Sequence, residues 1–432
     1  MKGLIFTYGL CYGGALVSLF NPFVGLLIYV CFAIVKPEQM WFWSVPQGNY
    51  SRIVAVALLA GWAGKGFGRW QFGRGRPIVL AFAGYWLWTA LSILWSIDRG
   101  VAVEFLESLT KIFLPFLVGV TMIDTVQKLK QLAWVIVLSQ GYVAYEMNMS
   151  YFSGYNRLWE EGFGGMDNNC NAIAFVTCIG MAFFLGLDAK RWWMRLVALI
   201  TAAFLAHGIL ISFSRGGMLA LVITGVFSFI LLPKRLMHYL IFLAAALVMV
   251  RLTGPQVMER FDSVFADSGV RDASAESRLI LWGACWDLMI KNPLGIGPDQ
   301  FGFVVANYGF RPGKLAHTLW LEVGAEGGFV GLVCLALFYF LCIVKLWPLA
   351  REKRGPTDPW FPVAARMVIA SLIGFAVSAQ FVSLKGLEVP FYVVLIGANV
   401  LKLDSPSANP LSGSTSNPDE VQVENTAWTG IA

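Results

Sequence analysis

The sequence predicts an all-α polytopic membrane protein with about twelve transmembrane helices. Hydrophobic residues make up 57% of the 432 residues and charged residues only 13%, which is more apolar than a soluble chain of this length requires. Apolar runs close to bilayer thickness recur along the chain, and helices satisfy their own backbone hydrogen bonds in a bilayer. The net charge of +6 lies mostly in short loops, so it does not indicate nucleic-acid binding.

Thirteen apolar runs are candidates for these helices. Asn21-Pro22 makes a tight break between the first two, so an early pair that forms one kinked unit reduces the count to twelve. An even count also places both termini on the same side of the membrane. The runs cover residues 3–20, 22–35, 52–64, 77–96, 102–123, 131–147, 170–187, 193–213, 216–232, 236–252, 317–346, 362–383 and 388–403.

Loop charge predicts the orientation. Clusters of Lys and Arg fall on one side of the membrane if the helices alternate from residue 77 onward, and the positive-inside rule assigns that side to the cytoplasm. Residues 1–403 then form one transmembrane domain, and the Ser-, Pro-, Asn- and Gly-rich residues 404–432 form a disordered cytoplasmic tail. The clusters are Lys65 to Arg76, Lys128 and Lys130, Lys190 to Arg195, Lys234 and Arg235, and Arg351 to Arg354.

The opposite face, assigned to the periplasm, collects three polar segments: residues 148–169, 213–216 and 253–316. The last is too long for a structureless connector. Apolar spacing predicts a helix over Glu276 to Ile290, and we expect it to lie on the membrane surface as a lid that ends at Asn292-Pro293.

Two arginines on this face are candidate ligands for a phosphate group. Arg215 lies in Ser212-Phe213-Ser214-Arg215-Gly216-Gly217, where a guanidinium offers paired planar donors and Gly216 lets backbone approach a ligand. The alternative is an arginine that snorkels to lipid head groups. Arg278 is a candidate second phosphate ligand, or it is solvated and paired with an acidic neighbour. Arg157 is a candidate for contact with sugar hydroxyls, which solvation explains equally well, and Asp167 is expected to cap the following helix.

His317 is the candidate general base. It is the one histidine of three that lies at the predicted outer surface beside a long polar loop, and we expect it to begin a helix. Glu322 and Glu326 are four residues apart on one face of that helix, where they orient a substrate or a basic residue, or simply form structural pairs. Because the outer face lacks clustered metal ligands and the chain has no P-loop, we expect no metal and no cofactor.

Taken in order, these motifs resemble the bacterial O-antigen ligase and polymerase superfamily. The N-terminal Pro22-Phe23-Val24-Gly25-Leu26-Leu27 and Lys36-Pro37 also resemble the exosortase-associated O-glycosylation ligases. The matching segments are Ser212 to Gly217, Ser277-Arg278 with Trp282, Asn292 to Pro298 with Phe301, and His317-Thr318 with Glu326 to Leu332.

The resemblance implies a GT-C-like, metal-independent glycosyltransferase of the bacterial inner membrane. Such enzymes take a glycan from undecaprenyl pyrophosphate at the periplasmic face and pass it to lipid A-core, to another lipid-linked repeat or to a protein. Two arginines and a histidine are essential in the family, which implies these roles for Arg215, Arg278 and His317, with Arg271 as an alternative second arginine. In either case we expect contact with membrane lipids.

The rival class is a flippase or other transporter of lipid-linked oligosaccharide. A transporter requires polar residues along a route through the bilayer, whereas the polar residues of this chain lie outside the predicted bilayer, apart from Glu322 and Glu326.

Overall fold

The computed structural model describes residues 1–232, 273–352, 357–383 and 387–405, with scattered positions between 236 and 247. Within these ranges the chain is helical apart from turns, loops and one isolated bridge between Phe163 and Met166. The prediction of an all-α fold is therefore confirmed.

The described helices follow the predicted apolar runs closely. Every predicted run coincides with a described helix except 236–252, most of which lies outside the described residues. The helices are α1 (Lys2–Tyr8), α2 (Gly14–Phe20), α3 (Pro22–Val35), α4 (Pro37–Met40), α5 (Tyr50–Gly64), α6 (Arg76–Ser92), α7 (Arg99–Met122), α8 (Val126–Phe152), α9 (Arg157–Glu160), α10 (Asn168–Asp188), α11 (Trp192–Ile211), α12 (Arg215–Leu231), α13 (Ala273–Lys291), α14 (Phe301–Val304), α15 (Leu319–Ala350), α16 (Phe361–Ser378) and α17 (Val389–Leu403).

A polytopic membrane protein is confirmed by length and composition. In the described part of the chain, seven helical stretches are long and apolar enough to cross a membrane, and α5, α12 and α17 are shorter apolar helices. The count of twelve stays a prediction. The seven stretches are Lys2–Phe20, Pro22–Met40, Gly73–Trp95, Asn168–Asp188, Trp192–Ile211, Leu319–Ala350 and Phe361–Phe381.

The core of the bundle is formed by α10, α16 and α17. Helix α10 packs against α11 and α16, and α16 packs in turn against α12, α15 and α17. Almost every residue of α17 between Val389 and Leu401 is buried, although the helix is short. Since α10 and α17 lie far apart in sequence, this core brings the N-terminal and C-terminal halves of the chain together.

One end of the bundle is built around paired basic residues, and we call it the basic end. Arg74 forms an ion pair with Asp404 at 2.7 Å, and the Lys402 ammonium donates to the carbonyls of Val120 and Ile123 at 2.6 and 2.8 Å. These contacts bring the loops before α6 and after α7 to the end of α17. Asp404 and the adjoining Ser405, placed in the tail by sequence, are therefore part of the folded bundle, while 406–432 lie outside the described residues, as do 233–235 and 353–356.

The other end contains a helix whose backbone hydrogen bonds are interrupted and replaced by hydrogen bonds to a loop. Helix α15 departs from helical geometry at Gly328 (φ 64°, ψ −167°). The loop after α13 supplies the missing partners: the Gly297 amide donates to the Glu326 carbonyl at 2.9 Å, and the Phe329 amide donates to the Pro293 carbonyl at 3.0 Å. A Cβ on Gly295 would lie 2.1 Å from the Glu326 oxygen, so this close approach requires glycine. The break thus fastens α13 to α15.

Candidate functional site

Arg215 is presented by a tight turn between α11 and α12. Phe213 adopts a left-handed conformation (φ 52°), and the Ser214 hydroxyl caps α12 by accepting from the Gly217 amide at 3.2 Å. Arg215 is the first residue of that helix and is half-buried. The Asn168 side chain donates to the Ser212 carbonyl at 2.7 Å, so the predicted outer loop 148–169 holds the turn in place.

His317 lies in the loop just before α15, rather than beginning the helix as the sequence suggested. Helix α15 starts at Leu319, and His317 is left-handed at φ 55°. Its amide donates to the Ser383 hydroxyl at 3.0 Å, and that hydroxyl donates to the Glu322 carboxylate. A left-handed conformation is uncommon for a residue with a side chain, and the polar chain to Ser383 and Glu322 holds it there.

Helix α13 carries Arg278 toward the same place. The Trp282 indole, one turn after Arg278, donates to the Ala316 carbonyl at 3.1 Å, directly before His317. The Trp282 ring also lies 6.4 Å from the Phe381 ring, centroid to centroid. A Cβ on Gly216 would lie 2.9 Å from the Phe381 Cβ. The small size of Gly216 therefore allows the start of α12 to pack against Phe381. A role of Gly216 in ligand binding stays a prediction.

Electrostatic interactions link Arg278 to each of the other two predicted residues, Arg215 and His317. Burial lowers the pKa of Arg278, the charge of Arg215 lowers it further, and Asp167 raises it. Burial likewise lowers the pKa of His317, with the charges of Arg278 and Lys314 acting in the same direction and Asp167 opposing them. The His317 imidazole is therefore held in its neutral form near neutral pH, which is the form that accepts a proton.

This arrangement suits transfer chemistry at an anion. Two guanidinium groups offer charge-assisted donors for phosphate oxygens, and a neutral imidazole beside them accepts a proton from an incoming nucleophile. Within the described residues, no three His, Cys, Asp or Glu side chains are grouped as ligands for a metal ion.

A cavity of about 360 Å³ adjoins His317 through Ser383 and Glu322, which both line it. Its polar lining residues belong mainly to the start of α7, the turn before α14 and the first turns of α15. Apart from Phe105 on α7, its aromatic residues come from α6, α15, α16 and α17. The lining consists of Tyr85, Glu104, Phe105, Ser108, Leu109, Ile112, Asp299, Leu319, Glu322, Val323, Glu326, Leu335, Tyr339, Phe375, Ser383, Leu387 and Phe391.

Three of the residues predicted to bind substrate have structural partners, and their contact with substrate stays a prediction: Arg157, Glu322 and Glu326. The Arg157 guanidinium donates to Glu161 at 3.2 Å and to the Gln39 carbonyl at 3.1 Å, and it lies over the Phe42 ring. These contacts fasten the short helix α9 to α4, which contains Gln39, and to Phe42 just after it, so Arg157 is not carried into the functional proposal.

Glu326 is likewise committed to the fold. Its two carboxylate oxygens accept the backbone amides of Asp299 at 2.9 Å and Phe301 at 3.0 Å. It therefore holds the turn before α14 against α15. Glu322 supports the loop of His317 through Ser383. Of the two alternatives drawn from the sequence, structural pairing describes both glutamates, although both also line the cavity.

The sequence missed two residues of this site. Asp167 caps α10 as predicted, accepting from the Cys170 amide at 2.8 Å, but its charge also acts on both Arg278 and His317. Ser383 supports the His317 backbone from 66 residues further along the chain. The polar Asp167-Asn168-Asn169 at the end of an outer loop is a signal for the first. A lone serine after an apolar run is no signal for the second.

Residues 200–336 match the model of the O-antigen ligase family. The matched part contains Arg215, Arg278 and His317 and ends within α15. The resemblance drawn from the motifs is thereby confirmed, and the match supports membership of the O-antigen ligase superfamily. No curated protein matches the chain.

Proposed function

Since the chain carries an O-antigen ligase domain over residues 200–336, we propose that it is an inverting, metal-independent glycosyltransferase of the GT-C type. It moves a glycan from undecaprenyl pyrophosphate to lipid A-core at the periplasmic face of the bacterial inner membrane. The observation that carries the proposal is that Arg278 lies within electrostatic reach of both Arg215 and His317, which come from two other segments of the chain.

Arg215 and Arg278 hold the pyrophosphate of the donor. Two like charges this close, with Arg278 half-buried, disfavour one another until an anion lies between them. The leaving undecaprenyl pyrophosphate gains negative charge as its bond to the sugar breaks. The guanidinium donors therefore stabilise the transition state more than the bound donor.

His317 removes the proton of the acceptor hydroxyl as its oxygen attacks the anomeric carbon. The bond from that carbon to the pyrophosphate oxygen breaks with its electron pair, so one displacement inverts the anomeric centre. Asp167 opposes the positive neighbours of His317 and favours the imidazolium that forms. The imidazolium then returns its proton to solvent or to the leaving phosphate.

Reconstitution tests the proposal directly. The purified protein in liposomes is given an undecaprenyl-pyrophosphate glycan together with lipid A-core, with a second lipid-linked repeat, or with an acceptor protein. We expect glycosylated lipid A-core of inverted anomeric configuration and release of undecaprenyl pyrophosphate, with the rate unchanged in EDTA.

Each other outcome has its own meaning. Elongated donor without added lipid A-core indicates a polymerase of the same superfamily, and a glycosylated protein indicates the protein-modifying branch. Donor that crosses the bilayer without a new glycosidic bond indicates a transporter. Activity lost in EDTA and restored by Mg²⁺ or Mn²⁺ contradicts the metal-independent role of the arginines.

A further inference from the structure

We propose that Trp282 and Phe381 are positioning residues, which together set the separation of Arg278 from the other two residues of the candidate site. The inference rests on the proposed function, and it adds two aromatic side chains that act on the reaction through their neighbours. Phe381 lies outside residues 200–336, so the match to the O-antigen ligase family does not cover it.

Trp282 joins α13 to the loop that carries His317. Arg278 and Trp282 are four residues apart on α13, so they lie one turn apart on the same side of that helix. The Trp282 indole donates to the carbonyl of Ala316 at 3.1 Å, and Ala316 is fully buried directly before His317. This hydrogen bond therefore sets how far the turn of Arg278 lies from the loop of His317.

Phe381 joins the same turn of α13 to the start of α12. Its ring lies 6.4 Å from the Trp282 ring, centroid to centroid. A Cβ on Gly216 would lie only 2.9 Å from the Phe381 Cβ, so the backbone of α12 packs directly on this phenylalanine. Because Gly216 follows Arg215, one aromatic side chain contacts both the turn of Arg215 and the residue one turn after Arg278.

The segment that carries Phe381 also contacts the remaining parts of the site. Two residues further on, the Ser383 hydroxyl accepts from the His317 amide at 3.0 Å, and the Ser383 carbonyl accepts from the Cys170 thiol at 3.7 Å. Cys170 lies in the first turn of α10, where its amide donates to Asp167 at 2.8 Å. This short segment after α16 thus contacts each of the four segments whose charged groups act on one another.

The spacing has a measurable electrostatic consequence. Burial lowers the pKa of His317, and the positive charges of Arg278 and Lys314 lower it further. Asp167 acts in the opposite direction, and Glu322 lies beside the loop through the serine that holds it. Coulomb interactions weaken as charges separate, so the effect of Arg278 on the pKa of His317 reports the spacing that the two aromatic residues set.

A double-mutant cycle tests the inference. The chain has three histidines, so NMR titration of the full-length protein with isotope-labelled histidine rings, in lipid nanodiscs, identifies His317 by its loss in His317→Ala. Arg278→Gln should raise the pKa of His317, because it removes a positive neighbour. This rise should be at least about twofold smaller in the Trp282→Ala background, and Phe381→Ala should act in the same direction.

Trp86 provides the matched control. Its indole donates to the Thr110 hydroxyl at 2.9 Å, and its ring stacks on Phe113 at a centroid distance of 5.2 Å. Trp86→Ala therefore removes the same two kinds of contact, here between α6 and α7, and it should leave the rise native. Trp282→Phe keeps a ring but loses the indole donor, so it should give an intermediate rise and decides the test if Trp282→Ala does not fold.

Turnover should follow the electrostatic coupling. Glycan transfer per folded molecule should fall by up to about 10²-fold in Trp282→Ala, as expected when reacting groups are displaced by roughly 1 Å. A native rise on Arg278→Gln in the Trp282 variants overturns the inference, as does an equally reduced rise in Trp86→Ala. Reduced coupling with native turnover also overturns it, because the spacing then does not matter to the reaction.

The titration requires no turnover, so it separates this inference from the proposed function. Coupling that depends on Trp282, in a native protein that transfers no glycan, confirms the spacing role and disproves the proposed function. Coupling that does not depend on Trp282, in a native protein that transfers glycan, disproves the positioning role and leaves the proposed function standing.

Discussion

The two ends of the bundle use positive charge in opposite ways. At the basic end, Arg74 lies against Asp404, and Lys402 lies against two backbone carbonyls. At the other end, Arg215 and Arg278 are close enough for one charge to lower the pKa of the other, and Asp167 is the acidic group whose charge opposes this shift. Paired cations contribute to folding, whereas cations held together under partial burial indicate a site for an anion.

The backbone conformation around these charged residues also differs between the two ends. At the basic end, Lys402 lies in the last turn of α17, and the left-handed residue next to Arg74 is a glycine, Gly73 (φ 48°). Arg215 and His317 instead depend on left-handed residues that carry side chains, namely Phe213 and His317 itself. Such conformations persist only where surrounding contacts hold them, which is typical of functional sites.

The strongest test of the comparison is His317→Ala. Loss of a general base should reduce glycan transfer by about 10²–10⁴-fold, because the acceptor hydroxyl then attacks without proton removal. Binding of the lipid-linked donor should persist, since the arginines remain. Transfer rate and donor binding are measured on the same preparation. A variant that fails only because donor no longer binds would reassign His317 to donor binding.

The next largest effect is expected from Arg215→Lys. Lysine retains the charge but lacks the paired planar donors, so transfer should fall by about 10²-fold at saturating donor. Arg74→Lys makes the same substitution at the basic end. It should leave turnover nearly native, because Arg74 pairs with Asp404 there and belongs to no part of the candidate site. Near-native turnover of Arg215→Lys would indicate an electrostatic or lipid-anchoring role.

Local patterns explain what the sequence predicted well. Apolar runs predicted the helices because bilayer-length apolar segments have few alternatives to helix, and Asp167 was recognised as a cap from its position before such a run. Arg215 was singled out because an arginine on the predicted outer face departs from the charge pattern of the loops, and His317 because it lies at a predicted membrane surface beside a long polar loop. The resemblance to the ligase superfamily implied the roles of these two residues and of Arg278, and those roles stay predictions.

Tertiary contacts explain what the sequence could not predict. The break of α15 at Gly328 exists because the loop after α13 replaces its hydrogen bonds. The structural role of Glu326 depends on the same loop, and the support of His317 depends on Ser383, 66 residues away. None of these pairings leaves a periodic trace in one sequence, because each joins residues that only the fold brings together.

At the basic end, the expected effect is on stability alone. Asp404 accepts from Arg74 and Thr357, and its side chain is only 7% exposed. Asp404→Ala should therefore lower the free energy of unfolding by about 1–3 kcal/mol, as expected for lost hydrogen bonds to a charged group. Thermal unfolding in detergent measures this, and transfer per folded molecule should stay native. Reduced turnover of the folded variant would contradict the division between the two ends.

The smallest effects concern the pH dependence set by the neighbours of His317. Protonated His317 cannot accept a proton, so the rate should rise with pH through the pKa of His317, which burial and positive neighbours hold below its ordinary range. Lys314→Gln removes a positive neighbour, so this pKa rises and the acid limb of the pH–rate profile should move to higher pH. Asp167→Asn removes the opposing charge while retaining a residue that caps helices well, so the acid limb should move to lower pH.

The opposite signs make this pair of variants specific to a titrating histidine. Lys291→Gln serves as the control, because it also removes one positive charge near α13. Lys291 pairs with Asp287 at 2.8 Å and is not among the groups that change the pKa of His317. The rates at the high-pH plateau should stay close to native in Lys314→Gln and Lys291→Gln. If Lys314→Gln and Asp167→Asn move the acid limb in the same direction, the group that titrates is not His317, and the imidazole does not serve as the base.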